Sequence, residues 1–375
     1  MQKFRISTQV CFGKDSLKAL GEIYAENAVI FTDAFLYKSG TVDKIKAYMT
    51  QCNNIKVFSD IKPDPPVELI AEALKFLLDA NADVVIAIGG GSSIDAAKAT
   101  VLIARKQSGK DMPLIAVPTT SGTGSEVTSF AVITDRQEGV KYPLVSDALL
   151  PEKAILAGEL VASVPPQITA DTGMDVITHA LEAYISTQAN DYSDALAEKA
   201  LELAFEYLPK AYKTGQDETA REKMHTASCL AGMAFNAVSL GVNHGIAHSL
   251  GAHFHIPHGR ANGMLLPYVM WYNAGLDGVV NENVAVKLAK VAKRVGLPAF
   301  NTKAGAQNLV NKLKAMQKEL SIPLTLKDAS VKKEDYEAAK PHIIQSALND
   351  ACTATNPRKL NENDIDNILV NIAKF

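Results

Sequence analysis

From Lys3 to about Ala157, short runs of β-branched residues alternate with stretches in which apolar positions recur every three to four residues. The runs AVIFTD (Ala28 to Asp33), DVVIAIG (Asp83 to Gly89) and PLIAVP (Pro113 to Pro118) are apolar with no period of two, the pattern of strands covered on both faces. Helical spacing appears in ELIAEALKFLLDA, between the first two runs, and from Ile94 to about Ala104, after the second. This alternation predicts βαβ units, a parallel Rossmann-like sheet and thus an α/β domain.

The character changes after Ser163-Val164-Pro165-Pro166, where the remaining segments become long, rich in Ala, Leu, Glu and Lys, and helical in period. Consecutive prolines disfavour helix at and before them. The boundary therefore falls there, with an α/β domain over 1–165 and an all-helical domain over 166–375. A chain of 375 residues is long enough for two such domains.

Composition narrows the partners. Acidic and basic residues (41 against 38) are interspersed and leave a formal charge of -3, so no basic stripe offers itself to a phosphate backbone and nucleic acid is excluded. The opening segment lacks the apolar core of a signal peptide and no later stretch is apolar enough to span a bilayer, so no membrane partner and a cytoplasmic location are expected. Cys11, Cys52, Cys229 and Cys352 are far apart with no CxxC pairing, which predicts reduced thiols and no thiolate zinc site.

Two loops carry candidate phosphate chemistry. Gly89-Gly90-Gly91-Ser92-Ser93 follows a buried strand and opens a helix, where free N–H groups favour an anion such as a pyrophosphate. A plain tight βα turn gives the same pattern, and this is not the GxGxxG fingerprint. Pro118-Thr119-Thr120-Ser121-Gly122-Thr123-Gly124-Ser125-Glu126 also follows a strand and concentrates hydroxyls and N–H groups. Together the loops suit the two ends of a dinucleotide at the carboxyl edge of the sheet. Asp33, ending an early strand, suits ribose hydroxyls and would repel a 2′-phosphate; it equally suits a helix cap.

Candidate metal chemistry lies in the second half. Asp175 and His179, four apart on a predicted helix, share one face. Five of the eight histidines fall between His244 and His258 in an otherwise apolar segment, and burying so many imidazoles without partners is costly. His244 and His248 share a helical face, while His258 lies beyond Pro257 on an expected turn that returns it toward His244. A divalent metal held by Asp175, His179 and two of these histidines accounts for the cluster. One carboxylate with imidazoles suits iron, zinc or another divalent ion.

GGGSSIDAAKA, PTTSGTGSEVT, TGMDVITHALEAY and HGIAHSLGAHFHIPHG occur in that order, and with them the whole chain resembles the iron-containing (group III) alcohol dehydrogenase family. KYPLVSDALLP, SDALAEKALEL and ATNPR most resemble its propanol-oxidising, microcompartment-associated branch. The resemblance implies Asp175, His179, His244 and His258 as metal ligands, with iron the first choice of ion and zinc the second. It implies His248 as the catalytic histidine, assisting proton transfer. It implies Asp33, Gly90, Gly91, Ser92, Thr119, Thr120, Thr123 and Lys141 as contacts of NAD. A homodimer or larger homo-oligomer, and association with a bacterial microcompartment, are implied in the same way. Asp64 stands where the family more often has Asn beside the cofactor, and His253 and His255 are additional to the ligand pattern and carry no assigned role.

The expected activity is NAD-linked interconversion of short primary alcohols and aldehydes. A metal- and NAD-dependent lyase of the dehydroquinate synthase kind is the rival, with glycerol or diol dehydrogenation as a further variant. The lyase must grip a polyanion, yet Met174 to Ile185 and Val238 to Pro257 contain no Lys or Arg. An apolar set, Ile177, Leu181, Val238, Leu240, Leu250 and Phe254, is available for a small neutral substrate.

Overall fold

The structure, a computed structural model, describes residues 4–136 and 140–375. Its contacts divide the chain into two compact units, Met1–Ser163 and Val164–Phe375.

The first unit is built on a six-stranded parallel sheet. In chain order its strands and helices are β1 (Gln9–Phe12), β2 (Ala25–Asp33), α1 (Ala34–Lys38), α2 (Thr41–Lys46), β3 (Cys52–Ile61), α3 (Val67–Asp79), β4 (Val84–Gly89), α4 (Gly91–Ser108) and β5 (Leu114–Pro118). They are followed by β6 (Phe130–Asp135), β7 (Val140–Val145), β8 (Lys153–Leu156) and α5 (Gly158–Val161). The sheet order is β1-β8-β5-β4-β2-β3, and β6 pairs with β7 as a separate antiparallel ribbon. Residues alternate between two cores: Val84, Ile86 and Ile88 of β4 join the layer of α2, whereas Val85 and Ala87 join that of α3 and α4. Burial on both faces explains why the sequence of β4 is an unbroken apolar run.

Chain order reverses between β2 and β4, since β3 lies beyond β2 on one side and β5 beyond β4 on the other. Such a switch point opens a crevice at the carboxyl ends of the strands. Asp33 ends β2 and Gly89 ends β4, so two of the sequence features meet there.

Among the described residues the regular elements of the second unit are all helical. The helices are α6 (Pro166–Ile185), α7 (Asp191–Lys213), α8 (Glu218–Val238), α9 (Val242–Phe254), α10 (His258–Asn273), α11 (Glu282–Arg294), α12 (Thr302–Glu319), α13 (Lys333–Asn349) and α14 (Glu362–Val370). Pro166 occupies the first turn of α6, where its missing N–H costs nothing. Residues 169–185 of α6 are buried almost without a break, so this helix crosses the core of the unit. α10 crosses it closely. A Cβ at Gly259 would stand 2.2 Å from the Asp171 carbonyl oxygen, and one at Gly263 would stand 3.0 Å from Met174 Cβ. No helix among the described residues is long and apolar enough to cross a membrane.

Candidate metal centre and nucleotide loops

α6, α9 and α10 bring one carboxylate and three imidazoles to a single point. Asp175 Oδ1 lies 3.9 Å from His179 Nε2, 3.8 Å from His244 Nε2 and 3.6 Å from His258 Nε2. The four potential ligand atoms all fall within 4.8 Å of one another. A tetrahedral ion with bonds of ~2.1 Å separates its donors by ~3.4 Å, so the spacing fits one ion with little adjustment. Asp175, His179 and His244 are buried, and the His258 side chain is 42% exposed, which leaves one side of the centre accessible.

The surroundings hold these donors in place. The Asn262 amide nitrogen lies 2.7 Å from Asp175 Oδ1 and 3.1 Å from both His244 Nε2 and His258 Nε2. Its orientation is fixed because Asn262 Oδ1 accepts from the Asn243 amide at 2.9 Å. Two amide protons thus face three atoms that can each accept, and a cation among them would satisfy all three. Behind His244, Glu182 Oε2 lies 2.6 Å from Nδ1, and Glu182 also accepts from the Asn243 and His244 backbone N–H groups at the start of α9. Burial pushes the Glu182 carboxyl up to about 8, against the lowering effect of those N–H groups. Burial, and then the neighbouring imidazoles, hold His244 well below the usual histidine range. Charge is costly on both groups alone, and a cation on the far side of the ring offsets that cost. His179 stacks between Phe235 and His244, with ring centroids 4.6 and 4.7 Å away.

His248, one turn beyond His244, stays out of the four. Its ring stacks on His258 at 5.3 Å and is 44% exposed, on the accessible side of the centre. Its Nδ1 lies 2.8 Å from Asp350 Oδ2. Burial would raise the Asp350 carboxyl, but His248 and the Cys352 groups outweigh it and keep the group below its usual value. Burial, with Asp350 and Glu182 adding to it, pushes the Cys352 thiol far up and keeps it protonated.

In the first unit, Asp33 Oδ1 accepts from Leu36 N at 2.9 Å and caps α1. Its other oxygen lies 3.8 Å from the Cβ position of Gly89, so the carboxylate spans the cap and the glycine turn. Thr119 N donates to Gly89 O at 2.9 Å and joins the loops after β4 and β5. Gly90 packs on Thr120, and a Cβ at Gly91 would stand 2.8 Å from Thr123 Cγ2. That close approach requires glycine. Beneath the second loop, the buried Lys98 amine donates to Thr128 O (2.7 Å) and Phe130 O (2.8 Å). Asp95 accepts from Ser125 Oγ (2.6 Å) and Val132 N (3.0 Å).

Two family models match the chain: "Iron-containing alcohol dehydrogenase" over residues 7–157 and "Fe-containing alcohol dehydrogenase family, C-terminal" over 169–373. The chain belongs to the iron-containing alcohol dehydrogenase family. It is 44% identical over 363 residues to a 1-propanol dehydrogenase of Citrobacter freundii, covering 96% of each chain. It is 36% identical to an NADPH-dependent butanol dehydrogenase of Clostridium saccharobutylicum, covering 98% of this chain and 97% of the relative. Among solved structures, it superposes on a 1,3-propanediol oxidoreductase with a TM-score of 0.90, 33% identity and 99% of both chains covered.

The enzyme is thus an oxidoreductase that interconverts alcohols and aldehydes, as the sequence motifs imply, and the lyase alternative is not favoured. The structure brings Asp175, His179, His244 and His258 together and sets His248 beside them. It groups Asp33, Gly90, Gly91, Thr119, Thr120 and Thr123 around the switch point, with Ser92 in the first turn of α4. Lys141 lies on β7, but its side chain is outside the described residues.

Some expectations change. His258 is not on a turn: Pro257 caps α10 and His258 is its first residue, the reversal being made by His255 in a left-handed conformation (φ +53°). Five of the six proposed apolar contacts are buried in the helical core, and Phe254 alone is partly exposed. His253 bonds to the Ser249 carbonyl and its ring lies 4.9 Å from that of His342, so neither it nor His255 joins the donor centre. Asp64 has φ +51°, a conformation that Asn and Asp tolerate best after glycine.

Glu182, Asn243, Asn262, Phe235 and Asp350 escaped the sequence reading. Glu182 carried a signal, being seven residues after Asp175 and three after His179 on the same helical face.

Proposed function

We propose that this enzyme is a metal-dependent, NAD-linked dehydrogenase of short unbranched primary alcohols, of the propanal/1-propanol type. The observation that carries the reading is the convergence of Asp175, His179, His244 and His258 on one point with an accessible side. Arg260, which follows His258, donates to both carboxylate oxygens of Asp171 (3.1 and 2.9 Å) and is thereby committed.

The four residues would hold a divalent ion, iron by the family's name and zinc as the alternative. When bound, the ion supplies Lewis acidity that lowers the pKa of an alcohol hydroxyl, and the nicotinamide supplies the hydride acceptor. His248 takes the hydroxyl proton in oxidation and returns it in reduction. The loops at Gly90–Ser92 and Thr119–Thr123 bind the dinucleotide phosphates through backbone N–H and hydroxyl groups. Asp33 accepts from the adenosine ribose hydroxyls and disfavours a 2′-phosphate.

The test is kcat/KM for propanal, butanal, glycerol, lactaldehyde and a phosphorylated aldehyde, with NADH and with NADPH. Propanal and butanal should lead and differ in degree, since one methylene is worth only ~1–3 kcal/mol in an apolar site. Glycerol or the phosphorylated compound at the head of that series, or equal rates with NADPH, would overturn the reading. Asp33→Gly should narrow the preference for NADH.

A further inference from the structure

His248 offers two ring nitrogens, and among the described residues the bond it makes is through Nδ1. Nδ1 faces Asp350 Oδ2 at 2.8 Å, whereas the other oxygen of the same carboxylate accepts from Cys352 N at 2.8 Å. A residue serving only to cap the 3₁₀ turn Ala351–Thr355 needs one oxygen. Here the second is given to an imidazole 102 residues away in sequence.

The turn that carries Asp350 is fixed on every side. Thr353 Oγ1 donates to Ala347 O at 2.7 Å, Thr355 Oγ1 donates to Leu240 O at 2.7 Å, and Thr187 N donates to Thr355 O at 3.0 Å. α9 is pressed against it: a Cβ at Gly245 would stand 2.3 Å from Thr353 Oγ1 and 3.3 Å from Asp350 Cβ. The carboxylate is therefore held at a set distance from the helix that bears His248. That matters because His248 is nearly half exposed, and water leaves an imidazole free to rotate and to exchange tautomers.

We infer that Asp350 is a positioning residue that fixes His248 as its Nδ1–H tautomer, leaving the Nε2 lone pair to take the alcohol proton. The inference rests on the proton-relay reading of His248. The proton balance is simple: the hydroxyl O–H bond breaks, an Nε2–H bond forms, and the Nδ1–H bond stays with its hydrogen bond to Asp350. In aldehyde reduction the Nε2 proton goes back to oxygen.

The test uses the full-length, zinc-loaded enzyme with ¹⁵N-labelled histidine. Wild-type spectra should show His248 protonated at Nδ1, a result that needs no variant to fold. In Asp350→Asn, the amide oxygen keeps the bond from Cys352 N while its N–H₂ group faces Nδ1, so the proton should move to Nε2 and remove the acceptor. The expected result is a swapped tautomer, at least a hundredfold lower kcat for alcohol oxidation, and unchanged metal content and KM for NAD.

A wild-type enzyme protonated at Nε2, or a swapped tautomer with undiminished kcat while His248→Ala is slow, would overturn the inference. If His248→Ala itself keeps full kcat, the relay reading fails. The inference about catalysis then fails with it, and the spectra still report whether Asp350 sets the tautomer.

Discussion

In the helical unit the candidate centre consists of four side chains from α6, α9 and α10, whereas in the α/β unit the loops after β4 and β5 offer mostly backbone N–H groups, hydroxyls and one carboxylate. The first arrangement depends on which residues stand at a few positions. The second depends on which residues are small enough to let two loops touch. A buried set of imidazoles needs an ion or an elaborate hydrogen-bond network. A glycine turn at a sheet's switch point needs only the right topology and nothing in the way.

Four substitutions would break or sharpen this contrast. His258→Ala removes a donor from the side-chain centre, so bound metal should be lost and turnover should fall by roughly three orders of magnitude, the rate equivalent of several kcal/mol of Lewis-acid stabilisation. Metal analysis beside kcat measures both. His248→Ala should instead keep its metal and lower turnover, and the reverse outcome would exchange the two roles. Glu182→Gln leaves the four candidate ligands intact but weakens the support behind His244. Competition with a chromogenic chelator should report a loss of about 10- to 100-fold in metal affinity, typical of outer-shell partners.

Gly91→Ala probes the other kind of site. The new methyl meets Thr123 at 2.8 Å and must spread the loops. KM for NADH should rise by roughly tenfold or more, as small displacements of a binding loop do, while metal content stays at the wild-type level. An unchanged KM would sink the reading of these loops as the dinucleotide site.

The smallest effect is one of pH. Glu126, buried at the end of the second loop, is pushed up to about 7 by desolvation. Its folded-state value exceeds its unfolded one, so the folded protein keeps a proton that the unfolded chain releases. Stability from this source is complete below pH ~4.5 and declines as pH rises to 7, by at most about 3 kcal/mol. Thermal melts of wild type and Glu126→Gln across that window should show the decline only in the former.

The contrast also explains what could be read in advance. β4 and β5 were legible because strands buried on both faces leave continuous apolar runs, and α6 because Asp175 and His179 mark one face of a long apolar helix. The start of α10 was misread because Pro257 suggested a turn, when proline also suits a helix entrance. Asp350 left no local trace. Its partner is 102 residues distant, and only tertiary packing through Gly245 creates the pair. Asn262 was invisible for another reason: an amide is unremarkable in sequence, and its meaning comes from the three atoms that it faces.

The crossing of α6 and α10 acts as a gauge. Gly259 seats the α10 backbone on the Asp171 carbonyl of α6 and Gly263 seats it on Met174 Cβ, so the gap between Asp175 and His258 is set largely by atoms that have no rotamers to adjust. A coordination sphere with one wall of this kind cannot breathe to suit its occupant, and cavity size and rigidity are what separate ions of equal charge and similar ligand taste. For an ion held by the four candidate donors, selection by ionic radius would then rest on two residues outside the donor set. Adding a methyl at Gly259 would recalibrate the gauge toward larger ions while every ligand remained in its place in the sequence.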